Sequence, residues 1–333
     1  MSDRLEIAAL ATEALAFAPD ASSALLDDIA AARAYRQRAR AANTRRAYAS
    51  DWAQFETWCD ARGLEPLPAQ PEAVATYLAV RARAGNAPST ITRHLAAIGW
   101  QHRQIGAPPP QARDTRMVIA DTLAGIRREQ RGRPCAKKAA ITAADCARMI
   151  ACAQGEGTRS TRDRAVLALG LAAALRRSEL VALQLADLTL VAEGLTLRIR
   201  ASKTDQAGAG AVIAIPAGKV LTPVKHLNAW LRVRGGEAGL LFTRIGPTGG
   251  LTGEAMSDRS VARLVQRYAA AAGLDPATVA GHSLRAGFLT EAARTRASLA
   301  KMQEVSRQKS VDVLMGYIRS AELFDDHAGA GFL

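Results

Sequence analysis

Four separated stretches of the chain set groups suited to phosphate chemistry beside apolar runs that could hold them rigid. ALRRSELVAL carries Arg176 and, one turn on, Glu179, while RASKTDQAGAG carries Lys203 in a turn between β-like runs. GHSLRAGF places His282 and Arg285 at i and i+3, one face of a helix. EVSRQKSVDVLMGYIRS carries a lone Tyr317 between apolar and cationic neighbours. Guanidinium groups stay charged and offer planar forks to phosphate oxygens, imidazole exchanges protons near neutrality, and a phenol becomes a nucleophile once a proton held to a pKa of about 10 is removed. Singly, each residue has an ordinary structural explanation. Arg176 suits a helix C-terminus, Lys203 an exposed turn, His282 with Arg285 a surface pair, and Tyr317 a packing role with a wet hydroxyl. Their conjunction in one half of the chain calls for a single account.

The elements that must position them read as two domains of a mainly α protein. Residues 1–30 form an Ala-rich, locally acidic N-terminal arm. Residues 31–128 follow as a chain of helices over RAYRQRARAA, NTRRAYASDWAQFETWCDARG, PEAVATYLAVRARAG, PSTITRHLAAIGWQHRQIG and TRMVIADTLAGIRREQ. Prolines 66, 68, 71, 88 and 108–110 fall between these stretches, where proline punctuates or starts helices. Residues 129–141 are a basic linker that could cross a phosphate backbone. The second domain, 142–333, opens on TAAD, a capping-box-like start at Thr142. A second start at Ser160 leads to the apolar helix VLALGLAAAL, which runs to Arg176. DLTLV, LTLRIR and AVIAIP alternate with period two around a Gly208–Gly210 turn, a small antiparallel sheet. Helices resume from about Thr222. Ser310 caps, and Asp312 charges, the first turn of a short helix bearing Tyr317.

Charge narrows the partner. The 333 residues include 44 Lys and Arg against 31 Asp and Glu, a formal net charge of +13, and such a field attracts polyanions. No apolar run reaches the roughly 20 residues that span a bilayer, and the N-terminal stretch has no basic leader with a cleavage site, so no membrane partner is expected. Cys59, Cys135, Cys146 and Cys152 lack CxxC spacing and read as reduced packing thiols; the five histidines form no ligand cluster.

The four boxes together resemble the tyrosine recombinase, or phage integrase, family. LRRSEL is similar to its first arginine box, with Arg176 in the arginine slot and Glu179 in the acidic one. GHSLRAGF supplies the HxxR box through His282 and Arg285. Lys203 corresponds to the hairpin lysine, and Tyr317 in MGYIRS to the nucleophile. The likeness covers both domains, and NTRRAYASDWAQFETWC, PSTITRHLAAIGWQHRQIG and VLMGYIRS look most like the Cre recombinase group. One position departs: nine residues before the tyrosine the family has His or Trp, where this chain has Gln308.

The resemblance implies site-specific cleavage and rejoining of DNA through a 3′-phosphotyrosine intermediate, with no metal or other cofactor. Arg176 and Arg285 would clamp the phosphate and Lys203 would protonate the leaving oxygen. His282, oriented by Glu179, would assist the tyrosine, and Gln308 would donate a hydrogen bond to a non-bridging oxygen. The implied partner is double-stranded DNA with an inverted-repeat site, bound as a homotetramer by a protein monomeric in free solution. The implied setting is cytoplasmic and nucleoid-associated, of bacterial, plasmid or phage origin. Thr44, Arg45, Arg46 and Ala47 on one helix and Arg93 and His94 on another would face the major groove, with Arg93 reading guanine and Arg45 and Arg46 on phosphates. Arg259 and Arg263, with Ser257, offer a further basic helix face. The C-terminal AELFDDHAGAGFL would dock on a neighbouring subunit or fray. Two other readings stand beside this one: a monomeric type IB topoisomerase with the same chemistry, and a DNA-binding accessory protein whose active site is degraded at Gln308.

Overall fold

The computed structural model describes residues 23–38, 40–132, 138–200 and 210–321, in two compact units that divide after Cys135. Lys203, most of the N-terminal arm, the centre of the basic linker and the last twelve positions, 322–333, lie outside the described residues.

The first unit is all α. It comprises α1 (Ser23–Arg38), α2 (Ala42–Asp60), α3 (Pro71–Arg83), α4 (Pro88–Gln104) and α5 (Val118–Glu129). The first helix thus begins within the predicted arm rather than at residue 31. Pro71 and Pro88 occupy the first turn of α3 and α4, where a missing N–H costs nothing and φ is already set. Asp114 receives the Val118 and Ile119 N–H groups at 3.0 and 2.9 Å and so caps α5. Spacing at i, i+4 and i+7 puts Ile91, Leu95 and Ile98 of α4, and Ile119, Leu123 and Ile126 of α5, onto one core with Phe55, Trp58, Tyr77 and Leu78. Phe55 meets Tyr77 edge-on, with centroids 5.0 Å apart.

The second unit holds α6 (Ala143–Cys152), α7 (Thr158–Ala172), α8 (Arg177–Ala182), β1 (Leu188–Val191), β2 (Gly194–Ile199), β3 (Ala211–Pro216) and α9 (Pro223–Arg234). It continues with β4 (Thr243–Ile245), β5 (Leu251–Ala255), α10 (Asp258–Ala271), α11 (Ser283–Arg294), α12 (Leu299–Ser306) and α13 (Val311–Ala321). Thr142 and Asp145 form the predicted capping box. Helix α7 starts at Thr158, two residues before the predicted Ser160, and from Ala165 to Leu171 it is buried on every side as the central helix of the unit. The antiparallel sheet runs β1-β2-β3 with Leu197 opposite Leu188 and Ile213. A second antiparallel pair, β4 with β5, is absent from the sequence expectation of helices after Thr222; its signal was FTRI followed by the turn-forming GPTGG. Gly287 lets α11 pass the strand-like entry to α6: a Cβ there would stand 1.9 Å from the Ile141 carbonyl oxygen, so only glycine fits. None of the described helices is long and apolar enough to cross a membrane.

Candidate active site

The site forms where α7, α8, α11 and the α12–α13 turn meet. Helix α7 does not run to Arg176 as its apolar sequence suggests. It closes at Ala173, the Ala174 N–H donates to Leu171 at 3.0 Å, and the Leu175 N–H donates to Gly170 at 3.2 Å. These are the paired bonds of a Schellman end. Ala174 sits at φ 47°, a left-handed conformation that costs an L-residue about 1–2 kcal/mol and that sequence would assign to glycine. Arg176 is therefore the residue that opens α8, in an extended conformation, rather than a helix C-terminal cation.

Glu179, 5% exposed, is the hub. Its Oε1 accepts from an Arg176 guanidinium nitrogen at 2.6 Å, and its Oε2 accepts from the Arg176 backbone N–H at 2.9 Å and from Arg307 at 2.8 Å. Burial pushes its pKa up, but the Arg307 charge and the hydrogen bonds and charge of Arg176 outweigh burial and hold it below the ordinary carboxylate value. Sequence reasoning gave Glu179 to His282 as an orienting group; both of its oxygens instead engage arginines.

Arg285, 2% exposed, reaches from α11 to the Ala174 carbonyl at 2.8 Å and to Gln308 Oε1 at 3.3 Å. Burial, with the Arg176 charge next, lowers its pKa to about 10, so it remains charged at neutral pH. A guanidinium only donates, so the Gln308 oxygen must face Arg285, and the amide NH2 is left as the donor on the other side. His282 precedes α11; burial first, then Arg285, Arg176 and Arg177, push its pKa down, which keeps the imidazole neutral and able to accept a proton. Tyr317 lies half-buried on α13, packed with Leu289, Ala293, Met302 and Leu314. Burial raises its pKa, and Arg285 pulls the other way. The predicted Ser310 cap is present: its hydroxyl accepts from the Val313 N–H at 3.4 Å.

The structure thus brings together Arg176, Glu179, His282, Arg285, Gln308 and Tyr317. It adds Arg307, which sequence reading missed because nothing in SRQKS separates a buried arginine from its exposed neighbour Lys309. Arg176 and Arg307 engage the one carboxylate and Arg285 lies near it, three cations against one anion, so the cluster suits a bound anion such as a phosphodiester.

The predicted DNA-facing residues divide. Thr44, Arg45, Arg46 and Ala47 open α2 and are exposed or half-exposed; Arg46 donates to Asn43. Arg259 and Arg263 are exposed on α10, whose N-cap is Ser257. Arg93 is held by buried Asp51 through Nε at 2.7 Å and a terminal nitrogen at 3.0 Å, so only the far edge of its fork is left for a base. His94 corrects the sequence reading. It is 1% exposed, bonded to the Tyr77 hydroxyl at 3.1 Å and 3.5 Å from Asp51, and belongs to the core, because α4 turns its Ile91–Leu95 face inward.

Comparison with known proteins shows the family to which the chain belongs. The phage integrase family profile matches residues 140–323, and the phage integrase N-terminal SAM-like domain matches residues 33–100. An integrase/recombinase xerD homolog of Selenomonas ruminantium is 34% identical over 299 residues, covering 88% of this chain and 86% of that protein. The tyrosine recombinase XerD of Pseudomonas aeruginosa is 27% identical over 290 residues, 86% and 90% of the two chains. Among solved structures, the Tn1549 transposon integrase in complex with transposon right end DNA superposes with a TM-score of 0.59 at 17% identity, covering 88% of this chain and 96% of that one. A lambda integrase dimer bound to a COC′ core site gives 0.58 at 19% identity, with 86% and 92% covered. These matches do not single out the Cre group.

Proposed function

This chain belongs to the phage integrase family of tyrosine-type site-specific recombinases, and from that premise we propose that it exchanges DNA strands through a 3′-phosphotyrosine intermediate and a Holliday junction, as a homotetramer on inverted-repeat sites. The observation that carries the reading is the one cluster in which Arg176, Arg285 and Gln308 converge beside His282 and Tyr317.

In the proposed reaction the Tyr317 oxygen attacks the scissile phosphorus while its proton passes to His282, whose depressed pKa leaves it neutral and receptive. The P–O5′ bond breaks as the phosphotyrosine bond forms, and Lys203 protonates the departing 5′-oxygen. Arg176 and Arg285 neutralise charge gathering on the equatorial oxygens, and the Gln308 amide NH2 donates to one of them. The chemistry reverses when a 5′-hydroxyl from the partner strand attacks the phosphotyrosine. Glu179 holds Arg176 in register, and the exposed arginines of α2 and α10 contribute phosphate contacts.

The test is covalent capture. Wild type and Tyr317→Phe are expressed in a bacterial host with a library of candidate DNA, denatured without crosslinker, and the attached DNA is sequenced. Attachment by wild type alone, concentrated at one inverted repeat, is expected. Equal attachment by Tyr317→Phe would remove the nucleophile assignment, and attachment without site preference would point to a topoisomerase.

A further inference from the structure

Arg307 stands outside the boxes that define the family resemblance, yet it is as well buried as the arginines of the site. Its side chain is 8% exposed, and its backbone holds φ 56°, the left-handed conformation at the C-terminal end of α12. From there the guanidinium turns back to Glu179 at 2.8 Å and to the carbonyls of Ala173 and Ala174, each at 3.4 Å, and to that of Val305. The Arg307 carbonyl in turn accepts from an Arg176 guanidinium nitrogen at 3.4 Å. A closed loop results: Arg176 to Glu179, Glu179 to Arg307, and Arg307 back to Arg176. The Ala174 carbonyl is shared with Arg285, and Gln308, the next residue, meets Arg285 as well.

We propose that Arg307 is a positioning residue, which locks the α12–α13 turn onto the Arg176–Glu179 pair and so sets Gln308 and the helix of Tyr317 against the phosphate clamp before DNA binds. Glu179 has two oxygens and two arginine partners, so loss of Arg307 leaves one oxygen facing only a backbone N–H and frees the turn from α7. A neutral side chain of similar length, methionine, fills the space but makes none of the four polar contacts. Lysine keeps the ion pair with Glu179 but has no planar fork with which to reach the Ala173 and Ala174 carbonyls as well.

This inference rests on the proposed recombinase function for its kinetic readout, and its structural readout stands alone. Hydrogen exchange is measured on the full-length Arg307→Met and Arg307→Lys proteins. In Arg307→Met, the amides of residues 306–310 are expected to exchange roughly tenfold faster while those of α11 are unchanged, and in Arg307→Lys the acceleration is smaller. Unchanged exchange at 306–310 in a folded Arg307→Met protein would overturn the proposal whether or not the wild type cleaves DNA. On a nicked suicide substrate, the rate of adduct formation should fall about 10- to 100-fold in Arg307→Met with DNA affinity within about threefold of wild type, and Arg307→Lys should recover part of the rate. In a double-mutant cycle with Gln308→Ala the rate losses should be non-additive. Strict additivity, with rate losses that follow only the fraction folded, would reduce Arg307 to a stabilising residue. Absence of adduct from wild type at any site would instead count against the recombinase reading itself.

Discussion

Replacing Glu179 with glutamine tests the electrostatic logic of the site, because the change alters charge and almost nothing else. The carboxylate side chain is 2% exposed and is shared by Arg176, at 2.6 Å, and Arg307, at 2.8 Å, whose own side chains are 16% and 8% exposed. Glutamine keeps one acceptor oxygen and turns an NH2 towards donors, so one charged hydrogen bond is lost outright and two guanidinium groups lose their shared counter-charge. Breaking a buried ion pair by removing one partner costs about 3–5 kcal/mol; with partial access of water to Arg176, about 3 kcal/mol is expected at pH 7. For a unit of this size that corresponds to a fall in Tm of about 6–12 °C. The pH dependence follows from the depressed pKa of Glu179. Its contribution is fully present above the unfolded carboxylate value of about 4.3 and is lost as pH falls through the lower folded value. The gap between wild type and Glu179→Gln should therefore begin to narrow below the unfolded value of about 4.3 and close only below the lower folded value, where a protonated carboxyl resembles an amide. Urea denaturation of both proteins at pH 7 and pH 3.5 measures the gap. A gap below about 1 kcal/mol at pH 7, or one that does not shrink in acid, would refute the role of Glu179 as the buried counter-charge.

Two further outcomes follow from individual side chains. His94→Ala should destabilise the first unit by about 2–4 kcal/mol, because it empties a core position and strands the Tyr77 hydroxyl, while the folded variant keeps its DNA preference; altered base preference with unchanged Tm would return His94 to the groove. His282 of the free protein, followed by NMR titration, should show a midpoint below 6.5, because burial and three arginines oppose its protonation. Since the unfolded chain takes up that proton first, this residue also costs stability as pH falls through 6.5; a midpoint at or above 6.5 would contradict it.

The boxes at Arg176, His282 with Arg285, and Tyr317 were legible because each pairs a chemically distinctive residue with a helical apolar pattern, and α2–α5 announced themselves through proline starts and i, i+4, i+7 spacing. What escaped has one physical character: it depends on backbone conformations that alanine and arginine do not advertise. LAAAL reads as uninterrupted helix, yet Ala174 turns it at φ 47°, moving Arg176 from the end of one helix to the start of the next. Arg307 adopts φ 56° in a stretch, SRQKS, where sequence offers only two like cations on either side of Gln308. His94 looked polar and therefore exposed, because a single sequence cannot show that Asp51 and Tyr77 wait beneath it. Burial of polar groups is a property of pairs, and pairs as far apart in the chain as His94 with Tyr77 and His94 with Asp51 leave no local trace.

Gln308 is the position where the chain departs from the His or Trp of the family resemblance. Indole can donate a hydrogen bond but cannot accept one, and neutral imidazole does one at each nitrogen. A donor N–H is therefore the property that the two family residues share. Glutamine divides the work across one planar amide: the oxygen is occupied by Arg285 at 3.3 Å, and the nitrogen is thereby aimed as a donor. In this chain the Arg285 fork fixes the orientation that a ring would otherwise obtain from packing, and the Arg307 turn fixes the backbone beneath it. Gln308→Glu would exchange the aimed donor for a second acceptor facing a phosphodiester. On the proposed mechanism that variant should cleave more slowly than Gln308→Ala, since repulsion between the carboxylate and the phosphate oxygens adds to the loss of the hydrogen bond. A Gln308→Glu protein that formed adduct faster than Gln308→Ala would show that position 308 does not face the phosphate.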